Sequence, residues 1–373
     1  MKKTKFYSLI VIIFILGSFT GLTFLLKSKN YVNFDTVFNF RVVIGMILWI
    51  LISVFIHEFG HLVFGLITKF RFLSFQFFTL FIKKNKNKGL TIKRISFNGL
   101  AGQCLMAPPK TNKKPFVLYN LGGIIFNFLF FLILYFILLY QQINYFWWSV
   151  FYSGAFINYL FAIVNAIPLK GVLNNDGLNM LNYYTNPVLI NNIYQNLNLV
   201  AQLTDDVLYQ DIDINDLSDE IDYRNSFEVF TLIIKFFKLK ALEQEEESLL
   251  LLQNLYQNRY RMIENYRNLV EMMYFCELAL SDNVEEARFV FNRFDKRVKK
   301  LLPHSKVDWG FFTHLLSQII DNKSFEALKL INKANEKAFR TSYLADEIRM
   351  KNMLSKIKNK GETYAHSSIQ ITP

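Results

Sequence analysis

Long uncharged runs fill the first half of the chain, and charged segments with a helical period fill the second. A bilayer core about 30 Å thick is crossed by roughly 20 apolar residues of α-helix. Phe6 to Leu26 meets that length without a charge, between Lys2, Lys3 and Lys5 on one side and Lys27 and Lys29 on the other. Its apolar core exceeds that of a cleaved signal peptide and no small-residue cleavage site follows, so residues 1–40 predict a retained helix and an outer loop. Val42 to Thr68 is longer than a span needs and so tilts or emerges at one end. Pro115 to Leu169 carries no charge at all. It predicts two helices, 116–140 and 145–167, joined by the short outer turn Gln141-Gln142-Ile143-Asn144. Tyr145, Trp147 and Trp148 give that end an aromatic belt. Gly122, Gly123 and Asn127 interrupt the first of these helices, and Asn158 and Asn165 the second. Small residues let helices approach, and buried amides bond between them.

The pattern changes after Tyr183. Residues 186–225 read as an acidic linker, with eight carboxylates between Asp205 and Asp222. Residues 226–358 have a helical period and predict three helix pairs, 226–240 with 245–261, 264–280 with 284–300, and 309–320 with 324–340. Asp282-Asn283 with Ala287 and Asp321-Asn322 with Ala327 mark similar turns about forty residues apart, as in a small array of the tetratricopeptide kind. Such arrays bind peptides or protein partners on a concave face; an irregular helical bundle fits the same pattern. His304 and His314 read as ordinary histidines, and 359–373 as a disordered tail. The expected fold is therefore mainly α: a polytopic membrane core over 41–185 and a C-terminal helical domain.

Composition sharpens this picture. The chain is 52% hydrophobic, with 39 phenylalanines, too apolar for an ordinary soluble domain. The net charge is +12, but no nucleic-acid motif accompanies it. Its placement carries the meaning. Lys69 to Lys114 holds eleven Lys or Arg and no acid. By the positive-inside rule this loop is cytoplasmic, which makes the N-terminus and the C-terminal domain cytoplasmic and puts 27–41 outside. Within the loop, the aromatic-rich Phe70 to Ile82 and the weakly alternating Ile92 to Met106 predict short strands, a small β-hairpin partly dipping into the membrane. Backbone of that kind is tolerated at depth only beside protein or a water-filled cavity; a loop that merely holds anionic lipid fits equally. The two cysteines, Cys104 and Cys276, are too far apart in the chain to suggest a disulfide framework or a Cys-based zinc site.

The candidate chemistry lies in the second span. His57, Glu58 and His61 are its only ionisable residues, within His57-Glu58-Phe59-Gly60-His61. Two histidines four apart on a helix share a face, so their rings can reach one Zn²⁺. The adjacent carboxylate suits a general base acting on water. A charge at membrane depth is expensive, so it is used or neutralised there. A short motif can match by chance, but only five histidines are present in the whole chain. Counted back from Lys69, the cluster lies about two to three turns from the cytoplasmic surface. A three-point zinc site needs one more protein ligand. Asp176 follows the helix break at Pro168 and returns to the same side. Its competing reading is a helix cap or an Asp-Gly turn.

Together these residues resemble the site-2 protease family of intramembrane zinc metallopeptidases, over roughly residues 40 to 185. The first motif is His57-Glu58-Phe59-Gly60-His61. A Gly-Gly-Pro-x-x-Asn type stretch appears as Gly122-Gly123-Ile124-Ile125-Phe126-Asn127, with Ile in place of Pro. The third element, Asn-x-x-Pro followed by Asp-Gly, appears as Asn165-Ala166-Ile167-Pro168 and Asp176-Gly177, with three more residues between Asn and Asp than the family usually has. The resemblance implies three helices around one zinc, with His57, His61 and Asp176 as ligands, Glu58 activating water, and Asn165 holding substrate. It implies an endopeptidase acting on a transmembrane segment or a membrane-associated leader or pheromone peptide. The bias toward Lys, Asn, Ile and Phe suits the cell membrane of an AT-rich bacterium. The competing expectation is an inactive scaffold of the same fold that binds partners through its C-terminal helices, and the longer Asn-to-Asp gap is the one feature favouring it. A transporter subunit needs more than four spans.

Overall fold

In lipid, each main-chain N–H and C=O must find its partner within its own segment, so uncharged runs of span length become helices. The computed structural model describes residues 17, 40–95, 101–109, 116–169, 174–214, 221–305, 308–335 and 341–369. Among them, three helices are long and apolar enough to cross a membrane: α1 (Phe40–Ile67), α2 (Phe116–Tyr140) and α3 (Tyr145–Ala166). Their ends fall within two residues of those the sequence predicts. The helix expected over residues 6–26 lies outside the described residues. The chain divides into two compact units. One holds residues up to Phe78 together with Gly99–Asn191, and the other holds Thr79–Asn98 with the chain from Asn192 onward.

In the first unit, α1, α2 and α3 pack on one another around Val42, Phe131, Leu134, Leu138, Trp148, Tyr152 and Tyr159. Much of their remaining surface is exposed aliphatic and aromatic side chain, as lipid-facing helices require. Where α1 crosses α2, Gly60 meets Gly122, and a Cβ on either would collide with the other's carbonyl. Asn144 caps α3 by accepting the Trp147 N–H at 3.1 Å, and α3 ends just ahead of Pro168, which cannot continue it. A short helix, α4 (Asp176–Thr185), packs on α2 and α3, and its Asn179 amide donates to Asn120 Oδ1 at 3.3 Å. Strands β1 (Arg71–Phe77) and β4 (Gly102–Ala107) pair antiparallel, with Phe75 opposite Cys104 and a bulge between Phe72 and Ser74. β4 lies on α1. The space a Cβ of Gly102 would fill is taken by Val54 and Glu58.

In the second unit, β2 (Leu80–Asn85) and β3 (Gly89–Arg94) form an antiparallel hairpin. Asn85 Oδ1 accepts the N–H groups of Asn87 and Lys88 in the turn, and Gly89 adopts φ +73°. The hairpin is anchored by Lys83, which donates to Asp206 Oδ1 at 2.6 Å, and by Lys88, which donates to Asp206 Oδ2 at 2.8 Å. The helices are α5 (Pro187–Thr204), which begins in the first unit, then α6 (Ser226–Ala241), α7 (Glu245–Gln257), α8 (Glu264–Leu280), α9 (Val284–Asn292), α10 (Lys296–Leu301), α11 (Trp309–Ile320), α12 (Ser324–Asn335) and α13 (Leu344–Ile369).

Pairs α6–α7, α8–α9 and α11–α12 turn in the same way. Glu243, Asp282 and Asn322 sit in the left-handed region at φ 59°, 61° and 60°. The next residue's N–H then reaches back to the carbonyl of Leu239, Leu278 and Gln318 respectively. Ser248, Ala287 and Ala327, five residues past each turn residue, are buried. The hairpins thus repeat about every forty residues, as the Asp-Asn turns predict. Three expectations need correction. The 284–300 helix is two, because Asp295 accepts the Arg297 N–H at 2.7 Å and starts α10. The 186–225 linker contains α5. The expected tail is helical to Ile369, because Met353, Leu354, Ile357, Gly361 and Ala365 continue one buried stripe; two of its members are too small to register as hydrophobic in the sequence.

Candidate metal centre

His57 and His61 project from α1 one turn apart and are buried, with ring centroids 4.8 Å apart. Their Nε2 atoms are 3.2 Å from each other. Asp176 Oδ2, at the start of α4, is 2.9 Å from the first and 3.4 Å from the second. Four-coordinate zinc with bonds of 2.0–2.2 Å sets its ligand atoms about 3.3 Å apart. The three expected ligands therefore converge with the spacing of one coordination sphere.

The hydrogen-bond donors settle which atoms are free. Asn158 Nδ2 donates to the Gly154 carbonyl at 2.9 Å, which turns Asn158 Oδ1 toward Asn127. Asn127 Nδ2 donates to that oxygen at 2.9 Å and to the Ser53 carbonyl at 3.1 Å. Asn127 Oδ1 must then face His57, so His57 Nδ1 carries the proton and donates it at 2.7 Å. His61 Nδ1–H likewise donates to the Tyr119 carbonyl at 2.9 Å. Both Nε2 atoms consequently turn lone pairs toward each other and toward Asp176 Oδ2, and that oxygen receives no hydrogen bond from the described residues. Three buried acceptors with no proton among them repel, and a cation between them resolves the conflict. Gly123 opens the room: a Cβ there would lie within 2.5–2.7 Å of His57 Cε1 and Nε2 and of His61 Nε2. The donor set, two imidazoles and a carboxylate, suits zinc.

Asp176 reaches this position in spite of the longer gap because Asn175 stitches it in place. Asn175 Nδ2 donates to the carbonyls of Val164 and Ile167 at 2.7 Å each, binding the start of α4 to the end of α3. Its Oδ1 accepts from Leu169 N–H and Leu178 N–H at 3.1 and 3.0 Å. Asn175 is therefore the cap of α4, and the Asp176 carboxylate is left for the histidines. Gly177 abuts the Ala166 carbonyl, where a side chain would not fit.

Glu58 is half-buried beside the cluster, and its Oε2 accepts the Cys104 N–H of β4 at 2.7 Å. The Cys104 thiol is pushed up by burial and by the Glu58 carboxylate, so it stays protonated at neutral pH. Asn165 is not drawn into the cluster's bonding. Its Nδ2 donates to Phe161 O, 3.0 Å away in the same helix. Sequence reasoning missed Tyr119, Asn175 and the Cys104 N–H. Asn175 carried a signal, an asparagine immediately ahead of a helix start. The Tyr119 carbonyl and the Cys104 N–H are main-chain groups, which leave none.

The model of the family described as Peptidase family M50 matches residues 45–145, a stretch that contains His57 to His61 and Gly122 to Asn127 and stops short of Asp176. No curated protein and no solved structure matches the chain.

Proposed function

Because its membrane core belongs to peptidase family M50, we propose that this chain is an intramembrane zinc metalloendopeptidase that hydrolyses a peptide bond in or near a transmembrane segment, or in a membrane-associated leader or pheromone peptide. The observation that carries this reading is the convergence of His57 Nε2, His61 Nε2 and Asp176 Oδ2, each with its lone pairs turned inward, beside a carboxylate. When bound, Zn²⁺ supplies Lewis acidity toward water and a substrate carbonyl. His57, His61 and Asp176 hold it. Asn127 and the Tyr119 carbonyl keep both imidazoles in the binding tautomer. Glu58 takes the proton from water and passes it to the leaving amine. Its Oε2 is engaged by Cys104 N–H, so Oε1 is the oxygen that accepts. A helix hides its scissile bonds, so the substrate unwinds and meets the site extended, next to β4. Asn165, at the mouth of α3, steadies its backbone.

The basic loop supports cytoplasmic access to the site, with the N-terminus and the second unit on that side of a bacterial cell membrane. The repeated hairpins, read as tetratricopeptide-like, offer a surface for a protein partner. The inactive-scaffold reading drew on the longer gap before Asp176, and Asn175 bridges that gap. The test is zinc per chain in detergent-purified protein, wild type beside His61→Ala. About one zinc in the first and none in the second is expected, with Glu58→Gln keeping its zinc and losing cleavage by roughly 10²–10⁴-fold. Folded wild-type protein without zinc would sink the reading.

A further inference from the structure

One residue reaches both the metal ligands and the base. The carbonyl of Tyr119 accepts the Nδ1–H of His61 at 2.9 Å. Its hydroxyl, at the other end of the side chain, donates to the Cys104 carbonyl at 2.6 Å. The N–H of that same Cys104 holds Glu58 Oε2 at 2.7 Å. Cys104 is thereby bonded at both main-chain groups by side chains from outside its own strand pair. The Tyr119 ring is stacked on Phe70, with centroids 5.0 Å apart and planes 10° from parallel, which fixes where the hydroxyl points. Since His61 and Glu58 both grow from α1, these bonds close a ring: His61 to Tyr119, Tyr119 to Cys104, Cys104 to Glu58, and back through the helix.

Resting on the protease reading above, we propose that Tyr119 is a positioning residue whose hydroxyl, acting through β4 and the Cys104 amide, sets where the Glu58 carboxylate stands relative to His57 and His61. A glutamate side chain has three rotatable bonds and no position of its own. An error of about 1 Å in a reacting group can cost up to 100-fold in rate. Holding Oε2 on a fixed N–H removes that freedom and leaves Oε1 for the proton. The N–H is only as fixed as its strand, and at Cys104 the strand is fixed by the Tyr119 hydroxyl. Without it, the Cys104 carbonyl loses that bond and the strand edge relaxes, carrying the base with it. The His61 contact survives, because it uses the main-chain carbonyl of residue 119.

The test is Tyr119→Phe in full-length, zinc-loaded protein, compared with wild type in three measurements. Zinc content should stay at about one per chain. Amide hydrogen exchange at Cys104 should quicken several-fold, and Glu58→Ala, which deletes the other partner of that residue, should quicken it too. On a fluorescence-quenched peptide carrying a roughly 20-residue apolar segment, kcat should fall about tenfold with KM unchanged. Wild-type exchange and wild-type kcat in Tyr119→Phe overturn the proposal, and so does a variant that loses zinc and melting temperature together, since that is a purely structural role. If wild type itself cleaves nothing, the protease reading fails, and the exchange measurement alone decides whether Tyr119 holds Glu58 through Cys104.

Discussion

The two units bury polar groups by opposite means. In the first, the buried His, Asp, Glu, Lys and Arg residues among those described are His57, His61 and Asp176, and amides and hydroxyls such as Asn120, Asn127, Ser153 and Asn158 accompany them. In the second, Lys83, Glu228, Arg259 and Glu271 are all buried, three of them in ion pairs: Lys83 with Asp206, and Arg259 with Glu271. The solvent explains the contrast. Lipid offers an ion nothing, so a membrane unit connects its helices with neutral amides and keeps charge only where chemistry uses it. A unit surrounded by water can use charge as architecture. Buried charge in the first unit is therefore gathered at the candidate metal centre, whereas buried charge in the second marks how the fold is held.

The sharpest way to break this contrast is Arg259→Met. Arg259 Nε donates to Glu271 Oε1 at 3.1 Å, and its guanidinium is stacked 3.8 Å from the Tyr256 ring centroid. Removing it strands a buried carboxylate and should cost about 3–5 kcal/mol of the second unit's stability, read by denaturant unfolding, with zinc content unchanged. Asn127→Leu is the counterpart in the first unit. It leaves the His57 N–H and Asn158 Oδ1 without partners, and should weaken zinc binding about 10–100-fold in a chelator competition while the second unit unfolds as before.

The third prediction is acidity. Burial works against the Asp206 charge, but hydrogen bonds from Lys83 and Lys88 hold its carboxyl below the ordinary carboxylate range. A depressed carboxyl stabilises the fold above its unfolded pKa and loses that contribution as pH falls through its native value. The β2–β3 hairpin should therefore gain amide exchange only below about pH 4, and Asp206→Asn should abolish that dependence. The smallest expected effect is Glu243→Gly. Glutamate is a poor occupant of φ 59°, and glycine there should stabilise the second unit by about 0.5–1 kcal/mol, seen as a small rise in unfolding midpoint.

What could be read from the sequence follows the same division. Span positions come from hydropathy, and the His-Glu-His pair from a fixed helical spacing, so both were legible. The placement of Asp176 beside the two histidines was legible by chemistry but not by register, because a loop can absorb extra residues wherever an asparagine such as Asn175 bonds both flanking elements. The holder of Glu58 was not legible, since a main-chain N–H belongs to any residue at position 104. The end of α13 was hidden by Gly361, which reads as a helix stop although it packs near Leu328 and Ile319.

The hairpin of β2 and β3, Leu80 to Arg94, belongs to a unit whose other parts begin at Asn192. Lys83 and its partner Asp206 are 123 residues apart. At 5–20 residues per second, the ribosome delivers the second roughly 6–25 s after the first. Through that interval two membrane helices are made while an ammonium group destined for burial stands in water without its carboxylate. The second unit cannot be completed during synthesis of its own C-terminal stretch alone. Its earliest piece arrives before α2 and α3, and waits.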